Sequence, residues 1–173
     1  MAKQKLNLQA YQQGILDRLR NLSESGHESF ASKLGVRIGS VNWLVALDDI
    51  SEVLPMPDIM PVPLTQPWFM GMANVRGNLY ALTDLNAFTG HALSVVNTES
   101  RVLLAHNRFE LNAGLLVDRL IGLRNLEDMQ IQQHVEAASV WQLASYKDAN
   151  GQSWNELDLG MLLGQNEFMQ IAA

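Results

Sequence analysis

The chain contains no cysteine among its 173 residues. This absence excludes a disulfide framework, zinc sites built on thiolates and cysteine nucleophiles. No apolar segment approaches the roughly 20 residues that a membrane-spanning helix needs. The first twenty residues are too polar for the apolar core of a signal peptide. We therefore expect a cytoplasmic protein without direct membrane insertion.

Positive charge is scarce as well. Twelve lysines and arginines stand against 18 acidic residues, for a formal net charge of −6, and the basic residues are scattered along the chain. A nucleic-acid partner is attracted by clustered lysine and arginine, so we expect none. Apolar residues make up 47% of the chain and charged residues 17%, which is typical of a folded globular protein.

Sequence signatures of catalysis are missing too. The chain has no GxSxG elbow, no phosphate-binding GxxxxGK[ST] loop, no GxGxxG and no HExxH. The four histidines lie far apart, so we expect no metal site and no cofactor. An enzyme with residues brought together from distant positions on a β-barrel is the alternative.

The start of the chain predicts an amphipathic helix, because apolar residues recur at spacings of three and four. These residues are Leu8, Tyr11, Ile15, Leu19 and Leu22. A loop of small and polar residues follows, over 21–29. The helix can dock on its own domain, bind a partner or mediate weak self-association. Its mixed charge does not favour a membrane surface.

From about residue 30 the pattern indicates short β-strands. Residues 34–38 and 43–47, joined by a turn at 39–42, predict a hairpin. Asp48 and Asp49 are expected to cap a short helical turn at 50–54. Single helical turns are expected after Asp84 and Asp158. Further strands are predicted at 78–82, 102–105, 111–117, 121–123, 140–146 and 152–157. Many short strands with frequent turns are typical of barrels or sandwiches.

All five prolines lie between residues 55 and 67. Proline removes a backbone donor, so this segment cannot form a central strand. Four of the eight methionines lie in or just after it. They offer adaptable contact area for a partner, or, for Met70 and Met72, fill the core.

The most informative segment spans residues 67–80. Two glycines around Asn-x-Arg predict a tight turn that presents the guanidinium of Arg76 just before a strand. Arginine is enriched at protein interfaces. The alternative is an internal ion pair between Arg76 and either Asp84 or Glu52. Both readings can hold, because an arginine that is bound by an internal carboxylate can still face a partner.

At these residues the chain resembles the CheW-like family, the coupling proteins of bacterial chemosensory arrays. The family signature stands here as Gly71, Asn74-Val-Arg76-Gly77, a strand at 78–83, Asp84-Leu85 and Phe88. Matching blocks lie at 43–47, 50–53, 114–118 and 154–163, so the resemblance covers roughly residues 30–165. The predicted helix before residue 23 and the amino-acid sequence around the signature are most similar to the PilI-type branch, the couplers of type IV pili and twitching motility.

The resemblance implies a mainly β fold. Two small five-stranded SH3-like β-barrels would pack around a shared core, with short helical turns and the N-terminal amphipathic helix as an extension. The implied divisions are a helix and loop at 1–29, the CheW-like domain at 30–165 and a tail at 166–173.

The resemblance also implies a function. Members are non-catalytic adaptors that link the regulatory domain of a chemotaxis-type histidine kinase to the cytoplasmic tips of methyl-accepting chemoreceptors. A flagellar coupler is the alternative within this class. A coupling domain that is fused to a receiver is a further alternative, although a chain that ends at Ala173 is expected to have no room for one.

Roles for individual residues follow only from that resemblance. The implied kinase-binding residues are Leu47, Ile50 and Glu52. The implied receptor-facing or groove residues are Arg76 and Val117. Structural roles as caps, turns and close backbone contacts are expected for Gly71, Asn74, Gly77, Asp84 and Asp118.

Overall fold

The computed structural model describes residues 32–133, 137 and 139–173. The predicted N-terminal helix lies outside the described residues. The strands are β1 Ser32–Ile38, β2 Val41–Ala46, β3 Ile50–Pro55, β4 Phe69–Val75, β5 Asn78–Asp84, β6 Arg101–Ala105, β7 Ala113–Val117, β8 Arg119–Asn125, β9 Gln130–Ile131, β10 Gln142–Lys147 and β11 Ser153–Leu157. The α-helices are α1 Leu85–Phe88, α2 Leu159–Leu163 and α3 Asn166–Met169. Three 3-10 turns complete the fold: η1 Leu47–Asp49, η2 Asn107–Phe109 and η3 Leu126–Asp128.

The strands form two mixed sheets. One has six strands in the order β8-β1-β2-β11-β10-β9, and the other has five in the order β3-β6-β7-β5-β4. Neighbouring strands are antiparallel except for β2 with β11 and β5 with β7. The predicted mainly β fold with short helices is confirmed. The resemblance implies five strands in each unit. One sheet has five, but the other has six, because it includes the two-residue strand β9.

Strands β6 and β7 are buried on both faces. In β6, Leu103 and Ala105 belong to a core cluster that also contains Val36 and Val45 of the six-stranded sheet. The alternate residues Val102 and Leu104 belong to a second cluster on the other face of the five-stranded sheet. The two sheets therefore share the first cluster, and β6 connects it to the second through the period-two alternation of a strand.

The two edges of the five-stranded sheet are connected to each other. The segment after the edge strand β3 reaches Met60, which forms an isolated bridge with Met72 of the opposite edge strand β4. The amide of Met60 donates to the carbonyl of Met72 at 2.7 Å, and the reverse bond is 2.9 Å. Gly71 has a φ of 129°, and a Cβ atom there would lie 2.3 Å from the carbonyl oxygen of Met60. Only glycine fits this approach.

Several predictions from sequence pattern are confirmed. The first hairpin forms with a two-residue turn at Gly39 and Ser40. Asp84 and Asp158 cap helices α1 and α2 by accepting from the amides of Ala87 and Met161. The six further strands that the pattern indicates are present, with ends that differ from the predicted ones by at most two residues.

Two predictions about local structure were wrong. Residues 50–54 form strand β3 instead of a helical turn, and the turn comes earlier, as η1. The β-branched Ile50 and Val53 pair with β6 opposite Ala105 and Leu103, and such pairing outweighs the local capping signal of Asp48 and Asp49. Strand β4 was not predicted. Its buried and half-buried positions alternate through Phe69–Ala73, but all five of these residues are apolar or glycine, so the sequence shows no alternation of polar and apolar residues that would identify a strand.

No helix among the described residues is long and apolar enough to cross a membrane.

The six-stranded sheet contains a largely buried polar group. Lys33 on β1 and Glu156 on β11 form an ion pair at 2.9 Å, with side chains only 15% and 10% exposed. The hydroxyl of Tyr146 on β10 donates to the other oxygen of Glu156 at 3.0 Å. Burial raises the pKa of Tyr146 to about 12, and the charge and hydrogen bond of Glu156 act in the same direction.

We expect Gly71→Ala to lower the free energy of unfolding by about 2 kcal/mol or more, because the new methyl group collides with the backbone of Met60. Gly77→Ala is the matched control. Gly77 also has a positive φ, of 87°, but a Cβ atom there meets nothing within 4 Å, so only about 1 kcal/mol of backbone strain is expected. Urea unfolding of both variants checks this. Equal losses would contradict the close contact with Met60.

We expect stability to fall in strongly alkaline solution through Tyr146. The pKa of its phenol is about 12 in the folded protein, against about 10 in an unfolded chain. The neutral form is thus favoured by folding. This stability is present below pH 10 and is lost as the pH rises towards 12. Tyr146→Phe should flatten the fall in urea midpoint over that range. A fall for Tyr146→Phe as steep as that of the parent would contradict this account.

Candidate partner-binding surface

Strands β4 and β5 are joined by a two-residue turn that consists of Arg76 and Gly77. Both residues have positive φ, 50° and 87°, as a type I′ hairpin turn requires. The side-chain oxygen of Asn74 accepts from the amide of Gly77 at 2.8 Å. The Asn-x-Arg-Gly pattern is therefore a turn that presents the arginine at its tip, as the sequence predicts.

Arg76 forms a bidentate ion pair with Glu52 of strand β3. Its Nη1 donates to Oε2 at 2.6 Å, and its Nη2 donates to Oε1 at 2.5 Å. The side chain of Arg76 is 72% exposed and that of Glu52 is 21% exposed. The hydrogen bond to Glu52, followed by the carboxylate charge, raises the pKa of Arg76. Of the two internal partners considered for Arg76, Glu52 is the one observed.

The ion pair connects opposite edges of the five-stranded sheet. Glu52 lies on the edge strand β3, and Arg76 lies at the end of the edge strand β4. Planar pairing of guanidinium with carboxylate fixes distance and orientation together. The ion pair and the Met60–Met72 bridge thus both connect the β3 edge of the five-stranded sheet with its β4 edge.

The predicted kinase-binding residues lie close together along the chain. Leu47 lies in η1, and Ile50 and Glu52 lie in β3. Leu47 and Ile50 are half-buried and pack against the cluster between the sheets. Because Glu52 binds Arg76, one ion pair joins a residue that the resemblance implies for kinase binding with one that it implies for receptor binding.

Two motif carboxylates bind backbone groups. Asp84 is 2% exposed; besides capping α1, it accepts from the amide and the hydroxyl of Ser94 at 2.7 and 2.8 Å. This holds the loop after α1, where Leu93 and Val95 are 61% and 82% exposed. Asp118 accepts from the amide of Gly39 at 2.7 Å, which ties the β7–β8 connection to the β1–β2 turn.

Residues 33–167 match the family of CheW-like domains. The chain belongs to this family. It is a family of non-catalytic scaffolds, and the described residues contain no group of three or more histidine or acidic side chains that could hold a metal ion.

Relatives and solved structures agree with membership in the CheW-like family. The chain is 34% identical to Protein PilI of Pseudomonas aeruginosa over 54% of this chain and 52% of that protein. It is 27% identical to the chemotaxis protein CheW of Thermotoga maritima, over 49% and 55%. The chain thus spans about half the length of these curated relatives. The scaffolding protein TtCheW of Thermoanaerobacter tengcongensis has the same fold, with a TM-score of 0.65 at 18% identity, covering 79% of this chain and 94% of that one.

Val117 is 1% exposed and belongs to the core cluster between the sheets. Its side chain is therefore packed in the core of this CheW-like domain and is not accessible to a partner. Strand β7 is buried at every position, so no alternation in its sequence distinguishes a groove residue from a core residue.

A second ion pair lies near the predicted kinase-binding residues, and the sequence does not predict it. Arg108 of η2 donates to the buried carboxylate of Asp49, and its guanidinium also lies over the ring of Phe109 at 5.0 Å. The pair fixes η1, which carries Leu47. The partners are 59 residues apart in the sequence, and no local signal relates them.

We expect Asp84→Ala to lower the free energy of unfolding by about 2–4 kcal/mol, because it removes a helix cap and leaves the groups of Ser94 without their acceptor. Asp158→Ala is the matched control, since Asp158 caps α2 through Met161; its loss should cost about 1 kcal/mol. Urea unfolding measures both. Equal losses would show that the contacts to Ser94 do not contribute to stability.

Proposed function

We propose that this protein is a cytoplasmic coupling protein that links the regulatory domain of a chemotaxis-type histidine kinase to the cytoplasmic tips of methyl-accepting chemoreceptors. The observation that carries the proposal is the exposed Arg76–Glu52 pair, which joins the residues assigned to the two partners within a CheW-like domain. Coupling requires two surfaces at a fixed spacing and no covalent chemistry.

The proposed kinase surface consists of Leu47, Ile50 and Glu52. Two half-buried apolar side chains beside a charged one form a small, mixed patch. Such a patch is suited to a moderate and reversible affinity. The ion pair Asp49–Arg108 supports it from behind by holding η1 in place.

The proposed receptor surface is centred on Arg76. A guanidinium has five N–H donors, and Glu52 accepts from only two of its nitrogens. With 72% of its side chain exposed, Arg76 keeps donors free for acceptors on a partner. Val117 would shape the neighbouring groove from inside the core.

We assign the coupler to the signalling pathway that controls type IV pili and twitching motility. The relative named Protein PilI supports this branch at 34% identity. The flagellar pathway is the second candidate, which the relatives named chemotaxis protein CheW favour. We also propose that residues 30–165 form the coupling domain, with 1–29 as an extension and 166–173 as a tail that packs Phe168 into the core.

We further propose that each sheet curls into a small SH3-like barrel, as the resemblance implies. The Met60–Met72 bridge and the Arg76–Glu52 pair support this for the five-stranded sheet, since both connect its opposite edges.

We expect Arg76→Glu to weaken binding of the receptor tip by about tenfold or more, a typical cost of removing a central interface arginine. Glu52→Arg should weaken binding of the kinase regulatory domain to a similar extent. The pair is solvent-exposed, so the melting temperature should change little. Calorimetric titration with each partner, together with thermal unfolding, measures both effects.

The matched control for these variants is Arg119→Glu, which reverses an exposed arginine in the other sheet and should leave both affinities unchanged. The double variant Arg76→Glu/Glu52→Arg restores an ion pair with reversed polarity. It should recover any stability lost by the single variants but neither affinity. If Arg76→Glu instead unfolded at a much lower temperature than the parent, a structural role for Arg76 would replace the proposed one.

A further inference from the structure

We propose that residues 1–22 dock on their own domain, beside the point where strand β1 begins, and cover the side chain of Leu47. We define the docking surface as Leu47, Asp48, Leu123, Glu127 and Asp128. Residues 1–22 lie outside the described residues, so the proposal combines their sequence with a surface that the structure describes.

The docking surface surrounds the start of β1. Ser32 and Lys33 line a cavity of about 190 Å³ together with Leu47 and Asp48. On the other side of β1, Leu123 of strand β8 pairs with Leu34. Leu34 belongs to the core cluster between the sheets, and Leu47 packs against that cluster. Because paired residues of neighbouring strands point to the same face of a sheet, Leu123 lies on the face of Leu34. Leu47 and Leu123 therefore flank β1 on the same side.

Part of this surface is apolar and uncovered. Leu123 is 39% exposed, and Leu120 on the same strand is 38% exposed. The stripe of leucine, isoleucine and tyrosine in residues 8–22 would supply the missing contacts. A helix of about 15 residues is marginal in water when isolated, so this stripe needs an apolar partner to be stable.

The charges of the two parts are complementary. Residues 1–22 contain four basic residues and one acidic residue, which leaves eight basic and 17 acidic residues in the rest of the chain. Asp48, Glu127 and Asp128 are exposed and form no ion pair within the described part of the chain. Opposite charges attract within a Debye length, about 8 Å at physiological salt.

The connection limits where the stripe can reach. Nine residues, 23–31, join it to Ser32; fully extended, they span about 30 Å. A helix over residues 8–22 would be about 22 Å long. The stripe is therefore held near the start of β1, at a high effective concentration.

Docking there has a consequence that rests on the proposed function. Leu47 is a proposed kinase-binding residue, so the docked segment and the kinase would compete for it. The chain would then carry its own inhibitor of kinase binding. Loss of docking should raise the apparent affinity for the kinase regulatory domain.

The test uses the full chain with a nitroxide label. Because the chain has no cysteine, Gln13→Cys provides a single labelling site on the side of the predicted helix away from the stripe. We expect the label to broaden the amide NMR signals of Lys33, Leu47 and Leu123. Adding Ile15→Asp/Leu19→Asp should abolish this broadening, because carboxylates in the stripe should reduce the docked population about tenfold or more.

The matched control adds the same charge off the stripe, as Gln9→Asp/Asn21→Asp, and should leave the broadening unchanged. Broadening that survives the stripe substitutions, or is absent from the parent, would overturn the proposal. So would broadening that appears only between labelled and unlabelled chains in a mixture, which would identify a second copy as the occupant.

Kinase titration of the same variants tests the competition. The stripe variant should bind the regulatory domain several-fold more tightly than the parent and the control. Equal affinities, with docking demonstrated, would overturn the competition. If docking is demonstrated but no variant binds the kinase at all, the proposed coupling function fails and the docking stands.

Discussion

The burial of β6 and β7 on both faces is the constraint on which the rest of the structure depends. The alternate residues of β6 belong to two core clusters, and β7 is buried at every position, so the five-stranded sheet cannot shift without disturbing both clusters. β3 pairs with β6, which fixes Glu52, and β5 pairs with β7, which fixes the turn at Arg76. These pairings bring Arg76 and Glu52 close enough to form their ion pair. Its position follows from the doubly buried strands more than from its own energy, since exposed pairs contribute little.

This arrangement suits a protein that acts by holding partners. Rigid strands support a mixed apolar and charged surface on one side, while the turn presents an arginine with unused donors. Buried carboxylates such as Asp84 and Asp49 bind backbone or side-chain groups behind that surface and stabilise its loops. The proposed kinase surface includes Leu47, which lines a cavity together with Ser32 and Lys33 at the start of β1. A segment that precedes β1 is therefore placed to regulate that surface.

Local signals in the sequence were sufficient for the first hairpin, for the Asp84 and Asp158 caps and for the Arg76 turn, because each depends on a few adjacent residues. Non-local pairing was not predictable in the same way. The helical turn expected at 50–54 is strand β3, because its partner β6 lies about 50 residues away. The Asp49–Arg108 pair has no local signal. Val117 shows the limit of the resemblance, which placed it beside a groove but could not show that its side chain is buried.

The central claim is that one chain binds a kinase and a receptor together. The most direct measurement is size-exclusion chromatography with light scattering on the full chain, mixed with the kinase regulatory domain and a receptor cytoplasmic tip. Pairwise mixtures run alongside. The account predicts a ternary peak of the summed mass, which is lost when this protein is omitted. The absence of a complex with either partner, while the regulatory domain is demonstrably folded, would contradict it.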